Sequence, residues 1–164
     1  MKVFGFAGFS GAGKTTLIEQ LIPRFAMAGL SISLIKHAHH GFDLDQSGKD
    51  SYRLREAGAR EIFMVSNQRW VLMHELRGEA EPSLEEQLAH MSPCDLVLVE
   101  GFKTTPIPKL EVHRSANNKP LIYPDQPNVV ALASDIRMEA GLPWFHLDDI
   151  DAIAEFIMQH QELK

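Results

Sequence analysis

One stretch near the start of the chain constrains the fold more than any other: Gly8-Phe9-Ser10-Gly11-Ala12-Gly13-Lys14-Thr15. It fits the pattern G-x-x-x-x-G-K-[ST] of phosphate-binding loops without a mismatch. The run of residues 2–7 before this loop is short and apolar, as in a buried strand. After the loop, apolar side chains recur at helical spacing. Strand, glycine loop and helix in this order are the setting that such a loop requires, so the sequence predicts an α/β fold built around it.

The residue types of this loop suit the binding of a nucleotide. Gly11 and Gly13 lack a Cβ, so the backbone can wrap around phosphates and direct its N–H groups inward. A helix that begins near Lys14 adds unpaired N–H groups and the positive end of its dipole. We expect Lys14 to reach the β- and γ-phosphate oxygens and the Thr15 hydroxyl to be a ligand of the accompanying Mg²⁺.

Composition narrows the class of protein. The 164 residues favour a single domain over residues 1–164, and 45% apolar residues suffice for a core. The net charge of −6 argues against a nucleic-acid partner, whose footprint is usually basic. A single cysteine, Cys94, fits a reducing compartment. No apolar run is long enough to span a bilayer and no signal peptide is recognisable, so we expect a cytoplasmic protein without membrane contact.

The segment from residue 36 to residue 50 combines histidines and carboxylates after a predicted strand, at the sheet edge where the phosphate loop also lies. Three interpretations remain open. His37, His39, His40 and the aspartates could form a transition-metal site. Asp43 or Asp45 could contact Mg²⁺, directly or through water, in a nucleotide-sensing switch. The segment could also be a solvated polar loop.

The middle of the chain predicts a β-hairpin. Two strand-like runs, 61–66 and 69–76, are separated only by Asn67 and Gln68. An antiparallel pair would make the sheet mixed, so the predicted fold is a three-layer P-loop architecture with a mixed, mainly parallel sheet and helices on both faces. Its unpaired edges make the hairpin the candidate dimer surface. Helices are expected after the capping-box patterns that begin at Ser47 and Ser83.

Two further strand ends carry acidic side chains. Residues 95–101 form an apolar run that ends in Glu100, and such a strand beside the phosphate loop places its acid near the magnesium ion. Residues 129–133 form a buried strand followed by Ser134 and Asp135. Asp135 could accept hydrogen bonds from guanine, or it could open the next turn.

The motifs together resemble one family, the molybdopterin-guanine dinucleotide biosynthesis adaptor proteins (MobB). The phosphate loop is common to many families, whereas the lysine-histidine stretch and the Gly-Lys-Asp-Ser-Tyr helix start are far more specific. The matching stretches span nearly the whole chain in order: Gly11–Leu17, Leu34–His40, Gly48–Ala59, Gln68–Trp70, Leu98–Lys103 and Val130–Asp135.

The resemblance implies a GTP-binding P-loop protein with weak GTPase activity. It also implies a homodimer that assists the transferase MobA, which attaches GMP to the molybdenum-bearing pterin cofactor, molybdopterin. The chain departs from common GTPases because it has no Asn-Lys-x-Asp motif. It also has Phe9 where a class of ATPases carries a second lysine.

Candidate residues can be named for the pterin, for catalysis, for the metal and for the nucleotide. Arg53, Lys103 and Arg114 are candidates for the pterin, and no arginine finger can be named. Three other functions remain as alternatives: a small-molecule kinase, a metal-delivery GTPase that uses the histidines, and a non-hydrolysing adaptor whose nucleotide is structural. The predicted catalytic residues are Lys14 and Glu100, the metal ligands are Thr15, Glu100 and Asp45, and the nucleotide-binding residues are Ser10, Gly11, Ala12, Gly13, Lys14, Thr15, Thr16 and Asp135.

Overall fold

The computed structural model describes residues 1–38 and 41–163, which divide into two compact units. The core unit comprises the described residues of 1–38 and 93–164, and the hairpin unit those of 39–92. The expectation of one domain over residues 1–164 stays a prediction.

A six-stranded sheet forms the centre of the core unit, and each pair of neighbouring strands in it is parallel. The strand that precedes the phosphate loop lies in the interior of the sheet, so the loop emerges from its middle at the carboxyl edge. In the order across the sheet, the strands are β2 (Ile32–Lys36), β5 (Leu96–Glu100), β1 (Lys2–Ala7), β6 (Lys109–His113), β7 (Val129–Ser134) and β8 (Trp144–His146).

Two helices, α1 (Lys14–Met27) and α4 (Ile150–His160), pack together on one face of this sheet. Each projects apolar side chains at helical spacing, and each fully buried Phe or Leu contributes about 1.5–3 kcal/mol relative to the exposed side chain. These contacts hold the N-terminus of α1 against the carboxyl edge of the sheet. The core on this face includes Phe4, Phe6, Leu21, Phe25, Leu98, Leu110, Ile153 and Ile157.

Irregular segments cover the opposite face, and two buried charged side chains anchor them. Lys109 donates to the carbonyl oxygens of Phe102, Lys103 and Thr105 at 3.2, 3.0 and 2.6 Å. Glu111 accepts hydrogen bonds from the backbone N–H groups of residues 122 and 123. Burial lowers the pKa of Lys109 and raises the pKa of Glu111. These hydrogen bonds hold the segments after β5 and before β7 against this face of the sheet.

The hairpin unit contains β3 (Glu61–Val65) and β4 (Trp70–His74), which pair antiparallel in a two-stranded sheet of their own. The predicted hairpin is confirmed, and the α/β class with a mostly parallel sheet is confirmed as well. The expectation that the hairpin makes the main sheet mixed is wrong, because β3 and β4 pair only with each other among the described strands.

Two short helices, α2 (Asp50–Glu56) and α3 (Leu84–Ala89), complete the hairpin unit. Ser83 and Glu86 form the predicted reciprocal capping box at the start of α3. The capping box expected from Ser47 is wrong: α2 begins at Asp50, and its N-cap is Lys49 without a side-chain cap. No helix of the described residues is long and apolar enough to cross a membrane.

Candidate functional site

The phosphate loop joins the end of β1 to the start of α1. Gly11 and Gly13 have φ angles of 79° and 96°, which favour glycine and fit the predicted need for backbone freedom. Gly13 is the N-cap of α1, and no side chain caps this helix or adds an acidic group to its first turn. The N–H groups and the positive dipole end at this terminus therefore suit an anionic ligand.

Lys14 directs its ammonium group back over the loop. Its Nζ donates to the carbonyl oxygens of Gly8 and Phe9 at 3.0 and 3.1 Å. Partial burial is the main cause that lowers the pKa of Lys14; Glu100 opposes this shift, and Lys103 and Lys36 add to it. A partly buried cation at this loop is suited to bind a phosphate.

Thr15 and Glu100 meet, as predicted for metal ligands. The Thr15 Oγ1 donates to Glu100 Oε1 at 2.9 Å, although the residues are 85 positions apart. Their hydroxyl and carboxylate oxygens are the hard donors that Mg²⁺ prefers, so these side chains fit the predicted ion. A third side chain, Lys36, has its Nζ 3.2 Å from Glu100 Oε2 and 3.3 Å from Thr15 Oγ1.

The charge around the loop is positive in a chain whose net charge is −6. Lys14, Lys36 and Lys103 interact electrostatically, and Glu100 is the carboxylate among them. The Lys103 ammonium lies 4.5 Å from the centre of the Phe9 ring, in a cation–π contact. Clustered lysines repel one another, and an anion with several negative charges would relieve that repulsion.

Asp135 lies just beyond β7, where its carboxylate is bound by one serine. Ser115 donates to it through its backbone N–H and its hydroxyl, both at 2.8 Å. The backbone hydrogen bond is the main cause that lowers the pKa of Asp135. Asn117, in the same short 3₁₀ turn, donates from Nδ2 to the Ser10 carbonyl oxygen at 3.3 Å. This turn therefore links Asp135 to the phosphate loop.

Asp45 belongs to the hairpin unit, and its side chain is 1% exposed. The Arg55 guanidinium binds both Asp45 and Asp43, from Nη2 at 3.1 and 3.0 Å. These ion pairs order the segment before α2. A role of Asp45 as a magnesium ligand stays a prediction, and it would require release from Arg55. Arg53 lies in the same unit and is exposed, 3.9 Å from Asp50.

The other residues predicted for the pterin lie in the core unit. Lys103 contacts Phe9, and the Arg114 guanidinium lies 3.3 Å from where a Cβ on Gly13 would stand. His37 packs against Phe102 with ring centres 5.0 Å apart. His39 and His40 lie outside the described residues. Within the described ranges, no group of three His, Cys, Asp or Glu side chains is arranged to hold a metal ion.

Sequence reasoning did not assign site roles to Lys36, Ser115 or Asn117. Lys36 was noted only as part of the segment 36–50 and of the matching stretch Leu34–His40. Its contact with Glu100 depends on the pairing of β2 with β5, which local sequence does not specify. Ser115 and Asn117 contact residues 20 and 107 positions away, and no motif spans such distances.

The chain is similar to several characterised sequences. It is 40% identical over 160 residues to the molybdopterin-guanine dinucleotide biosynthesis adapter protein of Escherichia coli (strain K12), with 96% of this chain and 91% of that protein covered. It is 39% identical over 155 residues to the protein of the same name from Haemophilus influenzae, with 94% and 86% covered.

Solved structures have the same fold. A crystal structure of molybdopterin-guanine biosynthesis protein B has a TM-score of 0.77 at 25% identity, covering 96% of this chain and 99% of that chain. The crystal structure of Bacillus subtilis MobB has a TM-score of 0.76 at 24% identity, covering 98% of each chain. The family profile of the molybdopterin guanine dinucleotide synthesis protein B family matches residues 3–135. The phosphate loop, the contact of Glu100 with Thr15 and these similarities are consistent with one another, and the chain belongs to this family.

Proposed function

We propose that this protein is a GTP·Mg²⁺-binding adaptor of molybdopterin-guanine dinucleotide biosynthesis, with slow GTPase activity. The observation that carries the nucleotide site is the Thr15–Glu100 contact beside Lys14 at the uncapped N-terminus of α1. The place in biosynthesis follows from the relatives, which are named as adapter proteins of that process.

Each residue of the site has a distinct task in this proposal. The N–H groups of the loop and the first turn of α1 would bind the phosphates, and Lys14 would leave the Gly8 and Phe9 carbonyl oxygens to donate to them. Thr15 and Glu100 would hold the metal, directly or through water. The bound metal would supply positive charge that offsets the negative charge of the phosphates.

Asp135 is the proposed determinant of guanine preference. Ser115 fixes its carboxylate at the end of β7, and each carboxylate oxygen retains capacity for a further hydrogen bond. Guanine offers donors at N1 and at its 2-amino group, whereas adenine presents an acceptor at N1. A fixed carboxylate here would therefore favour GTP over ATP.

The first test is calorimetric titration of GTP and of ATP, with and without Mg²⁺. We expect magnesium-dependent GTP binding that Lys14→Ala reduces at least tenfold, since a buried hydrogen-bonded charge pair is worth about 2–5 kcal/mol. The matched control is Lys2→Ala, which removes a lysine at the opposite end of β1. Equal binding of ATP would refute the guanine assignment, and no binding of either nucleotide would refute the site.

We extend the proposal to a homodimer formed through one face of the hairpin. Cross-strand partners Phe63 and Leu72, and Val65 and Trp70, share this face, with exposed fractions of 45–72%. The Phe63 and Trp70 rings stack at 5.3 Å. A contiguous exposed apolar face of this kind is typical of an interaction surface.

Sedimentation velocity over a range of protein concentrations tests the homodimer. Trp70→Ser combined with Val65→Ser should shift the distribution towards monomer. Met27→Ser, at an apolar residue 81% exposed on α1, serves as the control and should leave the distribution unchanged. The proposed dimer would be contradicted if wild type were a monomer at every concentration, or if the hairpin substitutions left a dimer unchanged.

The remaining partners in the proposal are molybdopterin and MobA. Lys103 and Arg114 lie beside the phosphate loop and could bind the anionic groups of the pterin. Adding the protein to MobA, GTP and molybdopterin should increase dinucleotide formation, and Lys14→Ala should abolish that increase. An increase that survives Lys14→Ala would separate the adaptor role from nucleotide binding.

A further inference from the structure

We infer that Lys36 and a divalent metal ion compete for the same two oxygens, so that Lys36 is a displaceable cation that sets the metal dependence of the site. This inference deepens the proposed function and rests on it. The Lys36 ammonium lies between Glu100 Oε2, at 3.2 Å, and Thr15 Oγ1, at 3.3 Å. These are the oxygens that fit the metal, and one cation must leave before another can bind them.

The backbone places Lys36 at this position. Lys36 and Glu100 are register partners on the parallel strands β2 and β5, so their side chains leave the same face of the sheet. One residue further, the His37 N–H donates to the Glu100 carbonyl oxygen at 2.9 Å. The close approach of His37 to Gly101 fixes the strand ends together. The contact between ammonium and carboxylate thus follows from strand pairing.

The two partners differ in their freedom to move. The Glu100 side chain is only 10% exposed and also accepts a hydrogen bond from Thr15, whereas the Lys36 side chain is 53% exposed. A half-exposed lysine can turn into solvent at little cost, because its ion pair is screened by water. The largely buried carboxylate has less freedom to move, and leaving it without a cation is costly. Displacement of Lys36 is therefore the natural way for a metal to enter.

The same geometry gives Lys36 a second effect. Without a cation at Glu100, its carboxylate would repel the phosphates of an incoming nucleotide. Lys36 neutralises that charge, so nucleotide can bind before metal. Loss of Lys36 should therefore act in opposite directions: metal binds more tightly, and metal-free GTP binds more weakly. Loss of a lysine that only contributed positive charge near the phosphates would strengthen metal binding less, because that lysine does not occupy the metal's oxygens.

The test measures Mn²⁺ binding by electron paramagnetic resonance on the nucleotide-free protein. Lys36→Met should bind Mn²⁺ about fivefold more tightly than wild type, the size expected of a half-exposed ion pair. Lys36→Arg keeps the charge and should stay near wild type. Lys103→Met removes a nearby lysine that touches neither oxygen, and should change the affinity less than Lys36→Met. Thermal unfolding confirms that each variant is folded.

Unchanged or weaker Mn²⁺ binding by Lys36→Met would overturn the inference, as would the absence of Mn²⁺ binding in all variants. Calorimetry of GTP without metal gives the second readout, in which Lys36→Met should bind several-fold more weakly than Lys36→Arg. Failure of the proposed function can be told apart from failure of this inference, because the proposed function fails if the wild-type protein binds no GTP at any Mg²⁺ concentration. The Mn²⁺ result does not depend on that outcome.

Discussion

Replacing Gly101 by alanine should destabilise the protein, because this glycine lies where two strand ends approach closely. It follows Glu100 at the end of β5, and its φ angle is 108°. A Cβ at this position would lie 2.9 Å from the His37 Cβ, well inside the usual contact distance. His37 directly follows β2, so any shift that relieves the clash also moves Lys36 relative to Glu100.

Two terms set the size of the effect. An alanine held at positive φ costs about 1–2 kcal/mol. Forcing an extra methyl group against a packed neighbour adds about 1–3 kcal/mol. We therefore expect the free energy of unfolding to fall by about 2–5 kcal/mol, and each kcal/mol corresponds to about 2–4 °C in Tm for a chain of this size.

Gly29→Ala is the matched control. Gly29 has a φ angle of 83°, and a Cβ there would meet no atom within 4 Å. Gly29→Ala therefore has only the cost of holding an alanine at positive φ, about 1–2 kcal/mol. Urea unfolding of wild type and both variants measures the difference. If Gly101→Ala loses no more stability than Gly29→Ala, the contact with His37 does not constrain the strand ends and the reasoning is refuted.

Three further predictions concern single side chains. Glu111→Gln should lower the free energy of unfolding by about 1–2 kcal/mol in urea titrations, because an amide accepts only one of the two N–H groups from residues 122–123. Asp135→Asn should destabilise the protein at neutral pH but not in strong acid, because Ser115 holds the Asp135 pKa below its ordinary value of 3.8. The stabilisation by Asp135 is therefore present above that value and is lost as the pH falls through the lowered pKa. Unfolding curves recorded across this pH range measure the effect. Thr15→Val should raise the Mg²⁺ concentration for half-maximal GTP binding about tenfold, with metal-free binding unchanged, in calorimetry.

Local sequence was sufficient for the features that depend on near neighbours. The phosphate loop could be predicted because its chemistry needs a fixed spacing of glycine, lysine and threonine between a strand and a helix. The hairpin and the Ser83 capping box have equally local causes. Glu100 was predicted at a strand end and lies there, and its carboxylate accepts a hydrogen bond from Thr15.

Contacts between distant segments could not be predicted in this way. Even over ten positions, the ion pair between Asp45 and Arg55 was not predicted, and the role of Asp45 as a metal ligand stays a prediction. The hairpin could be predicted as a pair of strands, whereas its separation from the main sheet depends on which edges pair. Strand order is a choice among chain segments of similar apolar character, and only the packed structure selects one.

The sequence alone determined that this protein has a loop of the phosphate-binding pattern between a strand and a helix, because that motif is encoded within a few consecutive residues. The tertiary structure decided which side chains surround the loop. Lys36 reaches Glu100 only because β2 pairs with β5, and Asn117 reaches Ser10 only because β6, which precedes its turn, pairs with β1. Such contacts arise from the packing of whole elements, in which each segment's position depends on all the others.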